Sequence, residues 1–320
     1  MELPAALRQG VDRLLEGVPP AALKEAARTL SERYRAETRD GRLHMAGDMA
    51  AKAYLAARLP ATYAAVRASL DHAADALPEF SPRSLLDVGA GPGTALWAAA
   101  DQWPGLEKAT LLEASDPARK IGKTLAEALA AQVEWISGDA TLDLDRAPPA
   151  DLVTVAYVLD ELAPASLPKL VERLWGLAGG MLVVIEPGTP AGWRRILAVR
   201  AQLIEAGGHI VAPCPHQAPC PLAAPDWCHF ARRVARSRIH RLTKDAEVPW
   251  EDEKFIYLAV SRQPASGFAA RVLAPPKSGS GKVALKLCQA DGTAAERLIT
   301  KRDGDAFRRA RRADWGDSLP

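Results

Sequence analysis

Residues 86–94 read LDVGAGPGT, a short apolar strand that ends in glycines and leads into the helical sequence TALWAAADQW. Glycines at such a turn adopt backbone angles that other residues avoid, and they let a nucleotide-like ligand approach the main chain. A glycine turn alone is a weak signal, so its interpretation depends on the surrounding sequence. The turn predicts a ligand-binding junction with Asp87, Gly89, Gly91 and Gly93 as candidate cofactor contacts.

Short apolar strands and amphipathic helices alternate after this turn. Strands are predicted in ATLLEAS, VEWISGDA, ADLVTVAYVL and GMLVVIEPG, and helices in PARKIGKTLAEALAA and SLPKLVERLWGLA. Strands joined by helices of this length form a parallel sheet with helices on both faces. Right-handed crossovers then give a doubly wound, Rossmann-like sheet. The predicted fold class is therefore α/β, with residues 81–210 as the cofactor-binding domain.

Two acids follow the next two strands. Glu113 ends the second strand, where a carboxylate can accept both ribose hydroxyls of a nucleoside. Asp139 ends the third strand and is placed to read an adenine amino group. The proline in GAGPGT and the acid directly before the turn favour S-adenosylmethionine over a dinucleotide, because S-adenosylmethionine has no diphosphate to hold. These features predict a class I methyltransferase fold; the alternative is a degenerate turn that binds nothing.

The rest of the chain divides into three regions. Residues 1–80 are rich in alanine and have the apolar spacing of helices. Residues 211–245 contain a Cys-rich insert and a predicted basic helix, HFARRVARSRIHRLTK. Residues 246–320 read as a C-terminal β extension with a basic tail, and Asp291-Gly292 is its predicted hairpin turn.

The ends and the composition of the chain set expectations about its location. Hydrophobic residues make up 48% of the 320 residues, yet no apolar run is long enough to span a bilayer. The N-terminal sequence MELPAALRQGVDRLLEG carries acids early and has no apolar core of a signal peptide. We expect a soluble, cytoplasmic and monomeric protein without membrane contact.

Four cysteines all lie in the last third of the chain: Cys214, Cys220, Cys228 and Cys288. Three of them lie in VAPCPHQAPCPLAAPDWC, whose five prolines exclude a helix or a central strand. Clustered cysteines in a reducing compartment favour a metal, and four thiolates suit zinc or an iron–sulfur cluster. Zinc sites usually contain CxxC pairs, so the irregular spacing favours a cluster, with zinc as the alternative.

Two other interpretations of the cysteine segment remain. His216 and His229 are possible substitute ligands, although a structural role is more common for such histidines. Buried reduced cysteines can also serve as small hydrophobic residues. That interpretation suits Cys288 within a strand better than three cysteines among prolines.

The charge of the chain is unevenly distributed. The net charge is +2, but residues 191–320 contain 22 Lys and Arg against 13 Asp and Glu, a net +9, which leaves −7 for residues 1–190. Such a division favours nucleic-acid contact in the C-terminal part, although charge runs are usually solvated faces. The predicted RNA-binding residues are Arg232, Arg233, Arg236, Arg308, Arg309 and Arg311.

The sequence after the fourth strand is YVLDEL, residues 157–162. In class I methyltransferases this loop lies beside the transferred methyl group. The Asn/Asp-Pro-Pro-Tyr motif of amino-group enzymes and the nucleophilic cysteine of cytosine-carbon enzymes are both missing from it. Asp160 is therefore a weak catalytic candidate, as a base that orients an acceptor. Alternatively, Asp160 and Glu161 simply begin a helix favourably.

Six segments together resemble the methyltransferase-like assembly factors of the small ribosomal subunit, whose best-known members are mitochondrial. They are AYLAARLPATYAAV, LDVGAGPGTALWAA, YVLDEL, IEPGTPAG, APCPHQAPCP and ADWGD. The resemblance implies subunit assembly through contact with rRNA, bound S-adenosylmethionine, and a [4Fe–4S] iron–sulfur cluster. The implied cluster ligands are Cys214, Cys220, Cys228 and Cys288.

Three functions follow from this resemblance and from the residues. One is an active rRNA methyltransferase, and another is a catalytically inactive, RNA-binding assembly factor that keeps the fold. A small-molecule methyltransferase is the third, and the basic C-terminal part and the Cys-rich insert speak against it.

Overall fold

The glycine turn follows an inner strand of a large sheet in the computed structural model, which describes residues 1–37 and 43–320. The parallel strands of this sheet are β1 (Ser84–Val88), β2 (Lys108–Glu113), β3 (Gln132–Ser137), β4 (Ala150–Ala156) and β5 (Ala178–Pro187). Their order is β3-β2-β1-β4-β5. The order reverses between β1 and β4, where a doubly wound sheet opens a crevice for ligands. The predicted α/β, class I methyltransferase-like fold is confirmed.

Three further strands extend the sheet beyond β5. They are β6 (His209–Ala212), β7 (Phe230–Ala235) and β8 (Trp250–Ser261). Strand β8 runs antiparallel to β5, and it pairs with β7 along its first half and with β6 at its end. Residues 250–261 therefore belong to the large sheet, whereas the sequence pattern groups them with the C-terminal extension.

Helices cover this sheet and form the N-terminal region. They are α1 (Ala5–Leu15), α2 (Pro20–Arg35), α3 (Asp48–Ala57), α4 (Leu59–Ala76), α5 (Thr94–Gln102), α6 (Asp116–Ala126), α7 (Leu167–Leu177), α8 (Pro190–Glu205), α9 (Arg238–Lys244) and α10 (Asp305–Ala310). Helix α4 is buried along most of its length and packs against α5 and strands β5 to β8. Within the described ranges, no helix has the length and apolar character needed to cross a membrane.

The predicted basic helix is wrong over its first half. The sequence FARRVA forms strand β7, and α9 begins only after Ser237, whose hydroxyl accepts the N–H of His240 at 3.1 Å. Pairing with β8 buries Phe230 and Val234 on one face of β7. Cross-strand packing of this kind overrides a local preference for helix, because the burial is available only in the folded chain.

A second, smaller sheet follows at the C-terminus. Its strands are β9 (Ala270–Val272), β10 (Lys277–Gly279), β11 (Lys282–Gln289), β12 (Ala294–Thr300) and β13 (Ser318–Leu319). Strands β11 and β12 pair antiparallel around Asp291-Gly292, and Gly292 has a φ of 83°, so the predicted hairpin is confirmed. Val272, Leu285 and Phe307 are part of a separate apolar core under this sheet.

Candidate functional site

The glycine turn connects β1 to α5 through three left-handed residues. Gly89, Gly91 and Gly93 have φ angles of 69°, 55° and 82°. Any other residue at these positions is strained. A Cβ atom on Gly89 would also lie 2.4 Å from the side chain of Val158, which follows β4. The turn therefore needs these glycines both for its backbone angles and for its close approach to the neighbouring strand.

Glu113 ties the end of β2 to this turn. One carboxylate oxygen accepts the N–H of Gly91 and the other accepts the N–H of Ser115, each at 2.7 Å. Burial raises the pKa of Glu113, whereas the two backbone hydrogen bonds oppose that rise. An ionised carboxylate can accept further hydrogen bonds beyond these two. The predicted ribose contact is compatible with this geometry and stays a prediction.

Asp87 is buried at the base of the turn. Its Oδ1 accepts the hydroxyl of Thr154 at 2.8 Å, while its Oδ2 is buried and has no hydrogen-bond partner among the described residues. Burial raises the pKa of Asp87 to about 7. A buried acceptor without a donor is costly, so this oxygen suits a ligand that brings an N–H or ammonium group.

Asp139 lies in the turn after β3. Its Oδ1 accepts the backbone N–H groups of Thr141 at 2.7 Å and Leu142 at 3.2 Å, and also the hydroxyl of Thr141. The carboxylate therefore fixes the turn that follows the strand. Its predicted role in reading adenine stays a prediction.

All predicted cofactor residues except Gly93 line one cleft at the carboxyl ends of the parallel strands. They are Asp87, Gly89, Gly91, Glu113 and Asp139. The cleft encloses about 970 Å³, open solvent included. Gly93 stands at the start of α5, where a Cβ would lie 3.3 Å from Leu111. The structure thus brings the candidate cofactor residues from three separate strand ends into one cleft.

A second cavity adjoins this cleft and encloses about 1,850 Å³, open solvent included. Tyr34, Arg58 and Tyr157 line both cavities, and Asp160 lines only the second. Tyr157 has a φ of 58°, a strained angle for a non-glycine residue, and its hydroxyl donates to Glu253 at 3.0 Å. The sequence did not predict Tyr34, Arg58 and Tyr157 as site residues. Its only signal for this region was the position of YVLDEL directly after the fourth strand.

Buried acids surround Asp160, which is itself 2% exposed. Burial, together with the charge of Asp160, raises the pKa of Glu161 to about 8 and that of Glu186 to about 8. Glu186 also accepts Nε of Arg195 at 2.6 Å and the N–H of Leu159 at 3.2 Å. Burial and the charge of Asp160 thus favour the neutral forms of Glu161 and Glu186, whereas the ion pair with Arg195 favours the ionised form of Glu186.

The four cysteines line a single cavity of about 490 Å³, open solvent included, between the large and the small sheet. Cys214 and Cys220 lie on the loop after β6, Cys228 lies just before β7, and Cys288 is on β11. Burial, together with the neighbouring thiols Cys214 and Cys220, raises the pKa of Cys288 to about 12. The Cys288 thiol is therefore protonated at neutral pH unless a metal ion binds to its sulfur.

The two candidate histidines differ in their relation to this cavity. His216 lines it, with Nε2 at 3.3 Å from the sulfur of Cys288. His229 instead stacks on Trp227 at 5.1 Å between ring centroids. No group of three or more His, Cys, Asp or Glu side chains in the described part of the chain is arranged to hold a metal ion. The predicted four-cysteine metal insert is therefore not shown and stays a prediction.

The predicted RNA-binding arginines fall into two groups. On β7, Arg233 binds both carboxylate oxygens of Asp252 at 2.9 Å, whereas the Nε of Arg232 has no hydrogen-bond partner among the described residues. Arg236 lies directly after β7 and donates to Glu251 at 2.9 Å. In and after α10 the exposed arginines are Arg308, Arg309, Arg311 and Arg312. Of these, Arg308 pairs with Asp305.

Comparison with known proteins identifies related chains. A family model described as mitochondrial small ribosomal subunit Rsm22 matches residues 48–320. The human protein named ribosome assembly protein METTL17, mitochondrial, is 29% identical over 83% of this chain and 62% of its own length. The Rsm22-cox11 tandem protein 2, mitochondrial, of Schizosaccharomyces pombe is 24% identical over 84% of this chain and 43% of its own. The chain therefore spans only part of the length of these relatives.

Solved structures with a similar chain path are distant. Magnesium protoporphyrin IX methyltransferase from Synechocystis has a TM-score of 0.42 and 13% identity, over 73% of this chain and 91% of its own. An O-methyltransferase family protein from Burkholderia thailandensis has a TM-score of 0.43 and 16% identity, over 78% and 72%. Likeness at this level carries no argument about the function of the chain.

The raised pKa of Glu161 makes the stability of the protein depend on pH. A carboxyl group whose pKa is higher in the folded than in the unfolded state stabilises the folded protein at low pH. This contribution is lost as the pH rises from 4.5, the ordinary pKa of Glu, to about 8. We expect the free energy of unfolding of the wild type to fall over this window. Glu161→Gln should flatten the fall, so that the variant gains stability relative to wild type at pH 8 but not at pH 4.

Urea unfolding at pH 4, 6 and 8 measures this difference. Glu172→Gln is the matched control, because Glu172 is exposed on α7. Equal pH slopes for the wild type and Glu161→Gln would show that Glu161 is not held protonated by its surroundings.

Proposed function

Because the chain belongs to the Rsm22 family of mitochondrial small-ribosomal-subunit proteins, we propose that it is an S-adenosylmethionine-binding, methyltransferase-like factor that acts on the small ribosomal subunit and its rRNA. A cytoplasmic location and a monomeric state are part of this proposal. The observation that carries the cofactor is the cleft at the switch point, whose glycine turn and acids come from three adjacent strand ends.

The residues of the cleft fit S-adenosylmethionine. Among the described residues the buried Oδ2 of Asp87 has no donor, and the α-amino group of S-adenosylmethionine would supply one. Glu113 already fixes the turn and retains acceptor capacity for the ribose hydroxyls. S-adenosylmethionine, when bound, supplies a methyl group bonded to a sulfonium centre. The residues of the chain bind and orient this cofactor beside the cavity that contains Tyr157 and Asp160.

A factor without methyl transfer is the second candidate function. Asp160 is the proposed base, and burial raises the pKa of each acid beside it, Glu161 and Glu186. The hydroxyl of Tyr157 donates to Glu253, and burial raises the pKa of Tyr157 well above 10. Burial therefore disfavours proton acceptance by Glu161 and keeps the Tyr157 hydroxyl protonated, which supports an RNA-binding role with retained cofactor.

We also propose that the four cysteines hold an iron–sulfur cluster of the [4Fe–4S] type, with zinc as the alternative. Four thiols are suitable donors for such a group and they line one cavity, but no three of them in the described residues are placed to hold a metal ion, so their side chains would rearrange as the group binds. Burial raises the pKa of the Cys214 and Cys228 thiols, so a bound metal is what would convert them to thiolate ligands. The cysteines would then link the loop after β6 to strand β11.

RNA contact is the third part of the proposal. Arg309, Arg311 and Arg312 are exposed and make no salt bridge with a carboxylate in the described ranges, whereas Arg233, Arg236 and Arg308 already pair with acids. Unpaired cations release more counterions on binding phosphate. The end of the chain is therefore the stronger part of the proposed RNA surface, and β7 is the weaker part.

The first prediction from this proposal concerns the cofactor. Isothermal calorimetry should detect S-adenosylmethionine binding by the wild type. Glu113→Ala should weaken the affinity, because removal of each charge-assisted hydrogen bond costs about 1.5–3 kcal/mol. Glu134→Ala, an exposed acid on β3, is the control and should bind as the wild type does. Equal affinities of wild type and Glu113→Ala would contradict the assignment of the cleft.

The second prediction concerns RNA. Binding of 16S-type rRNA should weaken with salt, and Arg309→Gln, Arg311→Gln and Arg312→Gln together should reduce the slope of log K against log salt by about 0.7–0.9 for each phosphate that is no longer neutralised. The control replaces three exposed cations of the acidic part, Arg13, Lys108 and Lys123, by glutamine. Transfer of labelled methyl to the bound rRNA in the same samples separates the two candidate functions. If the triple variant and the control have the same slope, the end of the chain does not contact RNA.

The third prediction concerns the metal. Protein purified without oxygen should contain iron and acid-labile sulfide and should absorb visible light, and Cys288→Ser should lose both metal and colour. Ala284→Ser, on the same strand, is the control and should keep them. Zinc without sulfide supports the alternative site. Metal-free wild type with four titratable thiols and ordinary stability would contradict both versions.

A further inference from the structure

Two arginines line the thiol cavity and are buried with the cysteines. Arg200 on α8 is 5% exposed, and Arg271 on β9 is 2% exposed. No aspartate or glutamate of the described chain lines this cavity. A guanidinium group keeps its charge under all ordinary conditions, so the cavity contains two positive charges.

The hydrogen-bond partners of these arginines are neutral carbonyl groups. Arg200 donates to the carbonyl oxygens of His216 at 2.8 Å and Ala218 at 2.9 Å. Arg271 donates to those of Pro213 at 2.9 Å and Gly316 at 2.8 Å. These bonds satisfy donors, but they do not neutralise the charges.

One donor remains unsatisfied at the cavity. The Nε of Arg200 is buried and has no hydrogen-bond partner in the part of the chain that the structure describes. A buried charge is strongly disfavoured unless an opposite charge and hydrogen bonds compensate it. The cavity therefore lacks a negative charge that its two arginines require.

We propose that Arg200 and Arg271 are the counter-charges of an anionic group that the four cysteine thiolates bind in this cavity, an inference that rests on the proposed metal site. Four thiolates around a zinc ion or around a cluster core of charge 2+ carry a net charge of about −2. Two guanidinium groups match that charge. The pairing explains why two arginines are buried where no carboxylate accompanies them.

The same arginines also hold the loop that carries the cysteines. Arg200 binds carbonyl groups between Cys214 and Cys220, and Arg271 binds the carbonyl group directly before Cys214. A test must therefore separate the charge from the hydrogen bonds. Glutamine keeps an N–H donor and removes the charge, whereas lysine keeps the charge and removes the planar fork of donors.

The experiment compares Arg200→Gln and Arg271→Gln with Arg200→Lys and Arg271→Lys in the full chain, purified without oxygen. Iron, sulfide and zinc per chain are measured before and after competition with a chelator. We expect the glutamine variants to lose metal at about tenfold lower chelator concentration, and the lysine variants to retain most of it. If iron is present, loss of a positive charge should also shift the reduction potential to more negative values, because reduction adds negative charge to the site.

Arg262→Gln is the matched control. Arg262 also donates to carbonyl groups, those of Ala178 and Trp175, and it stacks on Trp175 at 3.7 Å, but it does not line the thiol cavity. This variant should keep the metal content of the wild type and, for an iron cluster, its potential. A general sensitivity of the protein to the removal of an arginine would appear in this control.

The possible outcomes separate the two proposals. A wild type that binds no metal removes the metal site and this inference with it. If the wild type binds metal and the glutamine variants keep it, with an unchanged reduction potential for an iron cluster, the inference is overturned but the metal site stands. The same conclusion follows if the lysine variants lose as much metal as the glutamine variants. If the glutamine variants do not fold, the lysine variants decide, since a charge-based role requires that they fold and bind metal.

Discussion

The hydrogen bond from the N–H of Gly91 to the buried carboxylate of Glu113 joins the two strand ends on which the cleft depends. It holds a turn of three left-handed glycines against the end of β2, at the point where the strand order reverses. Because a Cβ at Gly89 would collide with Val158, the same turn fixes the distance to the loop after β4. The residues of this junction line the cleft at the ends of the strands.

Strand β8 connects the parts of the molecule that lie far apart in the sequence. It pairs with β5 of the parallel sheet, with β6 before the cysteine loop and with β7 after it. Glu253 on this strand also receives the hydroxyl of Tyr157 from the cleft region. Strand β8 therefore contributes residues both to the cavity beside the cleft and to the thiol cavity.

The buried charged groups around Asp160 and those at the thiol cavity differ in how their charge is compensated. Around Asp160 the acids Glu161 and Glu186 crowd together, and burial favours their neutral forms. At the thiol cavity, arginines that cannot lose a proton face thiols that can. Burial thus favours a lower negative charge around Asp160, whereas the buried arginines of the thiol cavity favour an anionic partner.

The sequence by itself determined the alternation of strands and helices, the glycine turn and the positions of Glu113 and Asp139 at strand ends. These features follow from local periodicity and from turn residues, and parallel strands place their carboxyl ends at one edge. Only the tertiary structure decided that FARRVA is a strand, that Tyr157 adopts a strained angle, and that Arg200 and Arg271 accompany the four cysteines. These features depend on contacts between residues that are distant in the chain. Such contacts stabilise the fold but produce no periodic pattern in the sequence.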